Sequence, residues 1–274
     1  ANARLSQKSA CGYRKIAPLV GPMLRSVNAL VAQQADDGQR FIDLGLPTQA
    51  LTVSGNIKFD LCLDTELKQK AKKLANEWRG PEDRAVWLVA STHQGEDEII
   101  LQAFKQLVSV LEKTPLLVIV PRHPERFDSV YELCSRAGFS VAKRSDTGAD
   151  ISKVDILLGD TMGELMLFYG ACDIAFVGGS LVPNGGHNMI EPAAWGVPII
   201  SGPHLFNFSE VSQLLISGNA MLICEDAPHL AGQCMNLLQH PERRQSMGNA
   251  AKQIAEENRG ALAKLLERID RQLN

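Results

Sequence analysis

Seven short apolar runs recur between residues 84 and 224: RAVWLVA (84–90), PLLVIVPR (115–122), FSVAKR (139–144), DILLGD (155–160), DIAFVGG (173–179), VPIISG (197–202) and AMLIC (220–224). Several are separated by segments of helical character, such as the stretch after residue 95, the stretch after residue 124 and MGELMLFYGAC (162–172). Runs this short and this uniformly apolar read as strands buried on both faces. Strands alternating with helices imply a parallel sheet, because a parallel connection needs a crossover. The expected fold class is therefore α/β, a Rossmann-like parallel sheet with helices on both faces. In such sheets ligands bind beyond the carboxyl ends of the strands, so the loops that follow the runs are where function is sought.

The richest of these loops is GGSLVPNGGHNMIEPAAWGVPII (178–200), with five glycines and three prolines. It reads as strand, glycine loop, short helix and strand, with Asn188 as N-cap and Gly196 as the stop. Gly185 and Gly186 allow close backbone approach, and the loop amides with the helix N-terminus suit a phosphate. Glu191 would repel that phosphate and is expected instead to accept from ribose hydroxyls. Three other strand-end loops carry polar residues. In ASTHQGE (90–96), Ser91, Thr92 and Gly95 form a polar turn and Glu96 opens a helix. In PRHPER (121–126), Arg122 and His123 suit a phosphate or carboxylate and Pro124 starts the next helix. In GDTMGEL (159–165), Gly163 permits close approach and Glu164 can accept from a base or sugar. Singly, each is an ordinary capped helix start; four at one edge of a sheet outline a nucleotide-shaped crevice.

Composition narrows the partners. A net charge of −3 in 274 residues gives no basic field for nucleic acid. The six cysteines contain no CxxC pair, which reads as reduced, packed thiols. No apolar run reaches the roughly 18 residues of a membrane span. There is no Walker loop, GxSxG elbow, HExxH or Asp-x-Asp pair, and the six histidines are dispersed, so no metal site is expected. A metal-free site must stabilise a departing phosphate with amides and cations, for which the glycine loop, Arg122, His123 and Lys58 of GNIKFD (55–60) are candidates.

Before residue 58 the chain offers one strand (NALVAQ), one helix (ADDGQRFIDLG) and one strand (LTVSGN), too little to bury a sheet alone. A boundary is expected near Lys58. The opening ANARLSQKSACGYRK lacks a starting methionine and an apolar signal region, and reads as a cut into a longer chain.

Taken in order, GNIKFD, STHQGE, PRHPER, MGEL and GGSLVPNGGHNMIEPAAWGVPIISGPHLFNF closely resemble the bacterial 3-deoxy-D-manno-octulosonic acid (Kdo) transferases, over essentially the whole chain. The resemblance implies a two-domain GT-B glycosyltransferase, with residues 1–57 the tail of an N-terminal acceptor domain and linker, and 58–274 a C-terminal donor domain with terminal helices. It implies that Pro121, Arg122, Met162, Gly163, Glu164, Asn188, Met189, Ile190 and Glu191 line a CMP pocket. Lys58 would stand near the leaving phosphate. The implied partners are CMP-Kdo and, through the N-terminal domain, the lipid A precursor of lipopolysaccharide and the cytoplasmic face of the inner membrane. The implied reaction is inverting and metal-independent, with its catalytic base, a glutamate, in the first domain and so outside this chain. The fragment itself is then expected to be soluble and inactive in transfer. Two other readings stay open: another sugar-nucleotide transferase or epimerase of GT-B fold, and a non-catalytic nucleotide-binding module.

Overall fold

The computed structural model describes residues 1–273. Contacts divide the chain into two units, Ala1–Cys62 together with the residues from Ala255 onward, and Leu63–Ile254. The division falls after Cys62, a short way past Lys58, and the last helix groups with the first residues.

The first unit holds α1 (Gln7–Arg14), α2 (Ala17–Arg25), β1 (Leu30–Ala32), α3 (Ala35–Asp43) and β2 (Leu51–Val53). β1 and β2 pair in parallel, Leu30 opposite Leu51, and Ala3 adds a parallel bridge to Ala32. The opening segment is thus built into the unit. Ser6 caps α1 by accepting from the Ser9 amide. Buried Asp37 accepts from the Leu5 amide at 2.9 Å and from Arg40 at 3.1 Å. Leu5, Ala10, Val20, Leu24, Leu44 and Leu46 close a small core, which two strands and one helix would not supply.

The second unit runs α4 (Thr65–Arg79), β3 (Val86–Thr92), α5 (Glu96–Val110), β4 (Leu116–Pro121), α6 (Phe127–Arg136), β5 (Val141–Lys143), β6 (Ile156–Leu158), α7 (Leu165–Tyr169), β7 (Ile174–Val177), α8 (Ile190–Trp195), β8 (Ile199–Ser201), α9 (Ser209–Ser217), β9 (Met221–Ile223), α10 (Ala227–Gln239) and α11 (Pro241–Glu257) as far as Ile254. The last element, α12 (Ala261–Leu273), belongs to the first unit. Its first turn is capped from afar, because the Asp60 carboxylate accepts from the Gly260 and Leu262 amides at 2.5 and 2.7 Å.

All seven apolar runs form one sheet in the order β5-β6-β4-β3-β7-β8-β9, and every neighbouring pair is parallel. Side chains alternate between two cores, as a period of two requires. Trp87, Val89, Leu117, Ile119, Ile174 and Phe176 face one core with Phe104, Val130 and Leu230. Val86, Leu88, Ala90, Leu116, Val118 and Ala175 face the other with Leu74, Trp78 and Phe168. Burial on both faces is the reason the strand runs are apolar throughout. From β3 the chain winds to one side through β4 and returns on the other at β7, so the strand order reverses between β3 and β7. That switch point opens the crevice of a doubly wound sheet.

Two local expectations are corrected. The helix after β4 opens with a single 3-10 turn, Pro124–Arg126, before α6. α8 begins at Ile190 with Met189 at the N-cap position, not Asn188. Asn188 still acts locally, its Oδ1 accepting from the Ile190 amide at 3.1 Å.

Candidate functional site: the crevice between β3 and β7

The loops after β6, β4, β3 and β7 follow neighbouring parallel strands, so they stand side by side at one sheet edge. The turn after β3 is irregular. Ser91 has φ of 59° and the pairing with β4 shifts register between Ala90 and Thr92.

Glu96 is the organising residue of this edge, and its side chain is wholly buried. Oε1 accepts from the Ser180 and Leu181 amides, both at 2.9 Å, and Oε2 from the Gly179 and His93 amides at 2.7 and 2.9 Å. A carboxylate within the chain thus occupies the cradle of consecutive amides that opens the glycine loop. Gly178 makes this approach possible, since a Cβ there would stand 2.7 Å from the Ser91 carbonyl and 3.0 Å from a Glu96 oxygen. Ser180 completes the joint: its hydroxyl donates to the Val177 carbonyl and accepts from the Gly202 amide, at 2.7 and 2.8 Å.

This arrangement narrows the expectation that the loop amides take a phosphate, because those that open the loop are already engaged. The amides of Gly179, Ser180 and Leu181 belong to Glu96, and the Gly186 amide donates to the Gly179 carbonyl at 2.7 Å. Gly185 and Gly186, at φ of 93° and 77°, shape the turn. A side chain at Gly185 would strike Asn207 and Phe206 of the neighbouring loop.

Thr92, Asp97 and Arg126 form a second joint. The Thr92 hydroxyl donates to Asp97 at 2.6 Å, Arg126 pairs with Asp97, and Arg126 also donates to the Thr92 carbonyl at 2.5 Å. Burial raises the Asp97 carboxyl, against the lowering effect of Thr92 and Arg126. The Arg122 amide donates to the same Thr92 carbonyl at 3.0 Å, leaving its side chain exposed beside His123. Pro121 lies opposite Thr92 in register and is buried. Gly95 takes φ of 91° at the start of α5.

Cations and imidazoles gather here. The facing nitrogens of His93 and His187 are 2.7 Å apart, and His123 meets His93 edge-on at 5.4 Å. Burial, the other imidazoles and Arg122 push His187 down to about 4. Dispersed in sequence, the three histidines are assembled by the sheet. Among the described residues no group of three His, Cys, Asp or Glu side chains is arranged to hold a metal ion.

At the β6 end, Met162 is 66% exposed and Gly163 takes φ of 82°. Glu164, expected to accept from a ligand, is already held by Arg144, at 3.0 and 3.3 Å, and by the Thr161 hydroxyl. Burial raises its carboxyl, but Arg144 and Thr161 outweigh this and the net shift is downward. Of the α8 start, the Met189 and Ile190 side chains are wholly buried, so anything they offer a ligand comes from the backbone. Glu191 accepts from Asn188 at 3.0 Å, and burial raises its carboxyl against that bond. Lys58 lies in the other unit, in a single 3-10 turn where its amide donates to Asn56.

Sequence reasoning gave Glu96 only a helix start and assigned no role to Asp97, Arg126, His93, His187 or Arg144. All but Asp97 and Arg144 stand inside the quoted motifs, and their density there was the available signal. Arg144 lies in a strand-end run with nothing to mark it.

Comparison with known proteins points one way. A family model described as 3-deoxy-D-manno-octulosonic-acid transferase (kdotransferase) matches residues 1–61. A 3-deoxy-D-manno-octulosonic acid transferase of Haemophilus influenzae is 44% identical over 97% of this chain and 62% of its own length, so the chain spans less than two thirds of that relative. The crystal structure of the C-terminal CMP-Kdo binding domain of WaaA from Acinetobacter baumannii is 35% identical, with a TM-score of 0.65 over 70% of this chain and 98% of that one. The structure of Anabaena Alr3699/HepE in complex with UDP and glucose shares only the fold, at 13% identity and a TM-score of 0.53 over 100% of this chain and 70% of its own. With one relative above 30% identity covered almost end to end and the sheet, loops and crevice described above, the chain belongs to the Kdo transferase family, α/β proteins of the GT-B glycosyltransferase fold.

Proposed function

We propose that Leu63–Ile254 is the donor-nucleotide unit of a glycosyltransferase that moves Kdo from CMP-Kdo to a lipid A precursor in lipopolysaccharide inner-core synthesis. The observation that carries this is the likeness to the Acinetobacter CMP-Kdo binding domain, which this chain covers over 98% of its length. In this reading the exposed Arg122 and His123 face the phosphate with a directed charge, and Glu191 accepts from the ribose. Met162 offers apolar contact at the β6 end. Glu96 contributes by geometry, holding the glycine loop in place without meeting the ligand. Transfer, contact with lipid and work at the cytoplasmic face of the bacterial inner membrane are assigned to the whole protein. No described helix is long and apolar enough to cross a membrane.

Calorimetric titration tests the reading on these residues. CMP should bind in competition with CMP-Kdo and more tightly than UMP or UDP, and EDTA should leave its affinity unchanged because phosphate charge is met by side chains. Preference for a uridine nucleotide would favour another sugar-nucleotide transferase or epimerase, and loss of binding in EDTA would refute the metal-free site.

A further inference from the structure

The His93 and His187 rings lie at 8° to one another with centres 5.0 Å apart, while their Nε2 atoms are 2.7 Å apart. Near-parallel rings with that centre separation bring two nitrogens so close only when they lie end to end in one plane. The contact is therefore an in-plane N–H···N hydrogen bond, not a face-to-face stack. Such a bond needs one Nε2 that carries hydrogen and one that is bare. The pair accordingly accommodates one positive charge but not two, because two protonated Nε2 atoms would point their hydrogens at each other.

The pair also joins two loops. His93 belongs to the turn after β3, and His187 closes the glycine loop after β7. The charged and titratable groups that bear on it are Glu96 from the start of α5, and Arg122, His123 and Arg126 from the β4 end. The one carboxylate among them, Glu96, already accepts four backbone amides. Burial and these cations hold both imidazoles toward the neutral form. An anion entering beside them would favour the charged form.

We propose that His93 and His187 are positioning residues of the donor site that hold the glycine loop against the β3 turn as a neutral pair and take up one proton from solvent when a nucleotide phosphate seats beside Arg122. The charge is then shared along the N–H···N bond, so the loop stays latched while the site becomes more positive. No bond of the ligand breaks in this step. The choice of ligand rests on the functional reading above; the proton uptake rests on the imidazole geometry. A group protonated more readily in the complex than in the free protein makes binding tighten as pH falls through the interval between the two states.

The test is calorimetric titration with CMP in buffers of different ionisation enthalpy, which counts protons taken up on binding, for wild type, His93→Gln, His187→Gln and His123→Gln. Glutamine keeps a hydrogen-bonding side chain, and circular dichroism melts establish that each variant is folded. Because the phosphate of CMP itself titrates near neutrality, the quantity read is the difference between wild type and variant. Wild type should take up as much as one proton more than His93→Gln or His187→Gln. Its affinity should also rise as pH falls from about 7 toward about 5, through and below the ordinary imidazole value because the free pair is held low, and this rise should be absent in both variants. Equal uptake in wild type and these two variants, or loss of uptake only in His123→Gln, would overturn the proposal. Inorganic pyrophosphate separates the two levels of the argument. If CMP fails to bind but pyrophosphate binds with the same proton difference, the donor-nucleotide reading falls and the imidazole pair stands; no difference with either ligand removes the pair.

Discussion

Glu96 illustrates how one side chain can decide the shape of a ligand crevice. Its two oxygens accept four amides drawn from the turn after β3 and the loop after β7, so inside the protein it takes the place that a bound phosphate takes in such amide cradles elsewhere. In Glu96→Gln one oxygen becomes an NH2 group facing amide donors. A loss of about 1–3 kcal/mol is expected in urea unfolding, the cost of leaving buried donors unpaired, and CMP affinity should fall with it. Unchanged stability would mean the loop is held by other contacts. Glu191 is the opposite case, a carboxyl raised above 4.5 by burial despite its bond from Asn188. A carboxyl whose pKa is higher in the folded than in the unfolded state contributes most stability below the unfolded value, and that contribution is lost as pH rises through the folded value. Glu191→Gln, which can still accept from Asn188, should therefore melt higher than wild type at neutral pH. The gain should disappear below about pH 4.5; a gain that persists there would show that packing rather than charge is responsible.

At the scale of elements, β3 and β7 meet so closely at their carboxyl ends that Gly178 has no room for a side chain. The obstructing atoms are chiefly the backbone carbonyls of Ala90 and Ser91, which no rotamer change can clear. Gly178→Ala should cost about 1–3 kcal/mol, the usual penalty of overpacking, and should weaken CMP binding by displacing the glycine loop. Urea unfolding and titration of the same preparation check both effects, and wild-type behaviour in both would show that the strand ends can part without cost. The strand pattern itself was legible in the sequence, because buried parallel strands must be apolar on both faces. Helix α8 was legible in place but not in register. The signal for Asn188 as N-cap is local, whereas the start of the helix is set by the glycine loop's contacts with the segment around His204 and Asn207.

For the molecule as a whole, the two units have separate cores, and the proposed ligand site lies within Leu63–Ile254. Differential scanning calorimetry with CMP at a hundred times its Kd should stabilise that unit by about 2.7 kcal/mol, the mass-action value for binding to the native state alone. Any separate transition of the other unit should be unmoved. A ligand-dependent shift of both transitions by equal amounts would show that the units unfold as one. The first unit was poorly legible because its two strands are three residues long and its stability comes from Asp37, Asp60 and a small apolar cluster that join residues far apart in the chain.

Fold class, strand positions and the four candidate loops followed from the sequence alone, because burial on two faces and the turn chemistry of glycine and proline are written in local composition. The motifs carried the family as well. The tertiary structure decided which groups within those loops are available to a ligand. It gave the glycine-loop amides to Glu96, paired Glu164 with Arg144, buried Met189 and Ile190, and brought His93 to His187 across 94 residues of sequence. The physical reason is that hydrogen-bond partners and burial are set by which strands become neighbours, and the reversal of strand order between β3 and β7 is a property of the whole sheet that no single loop records.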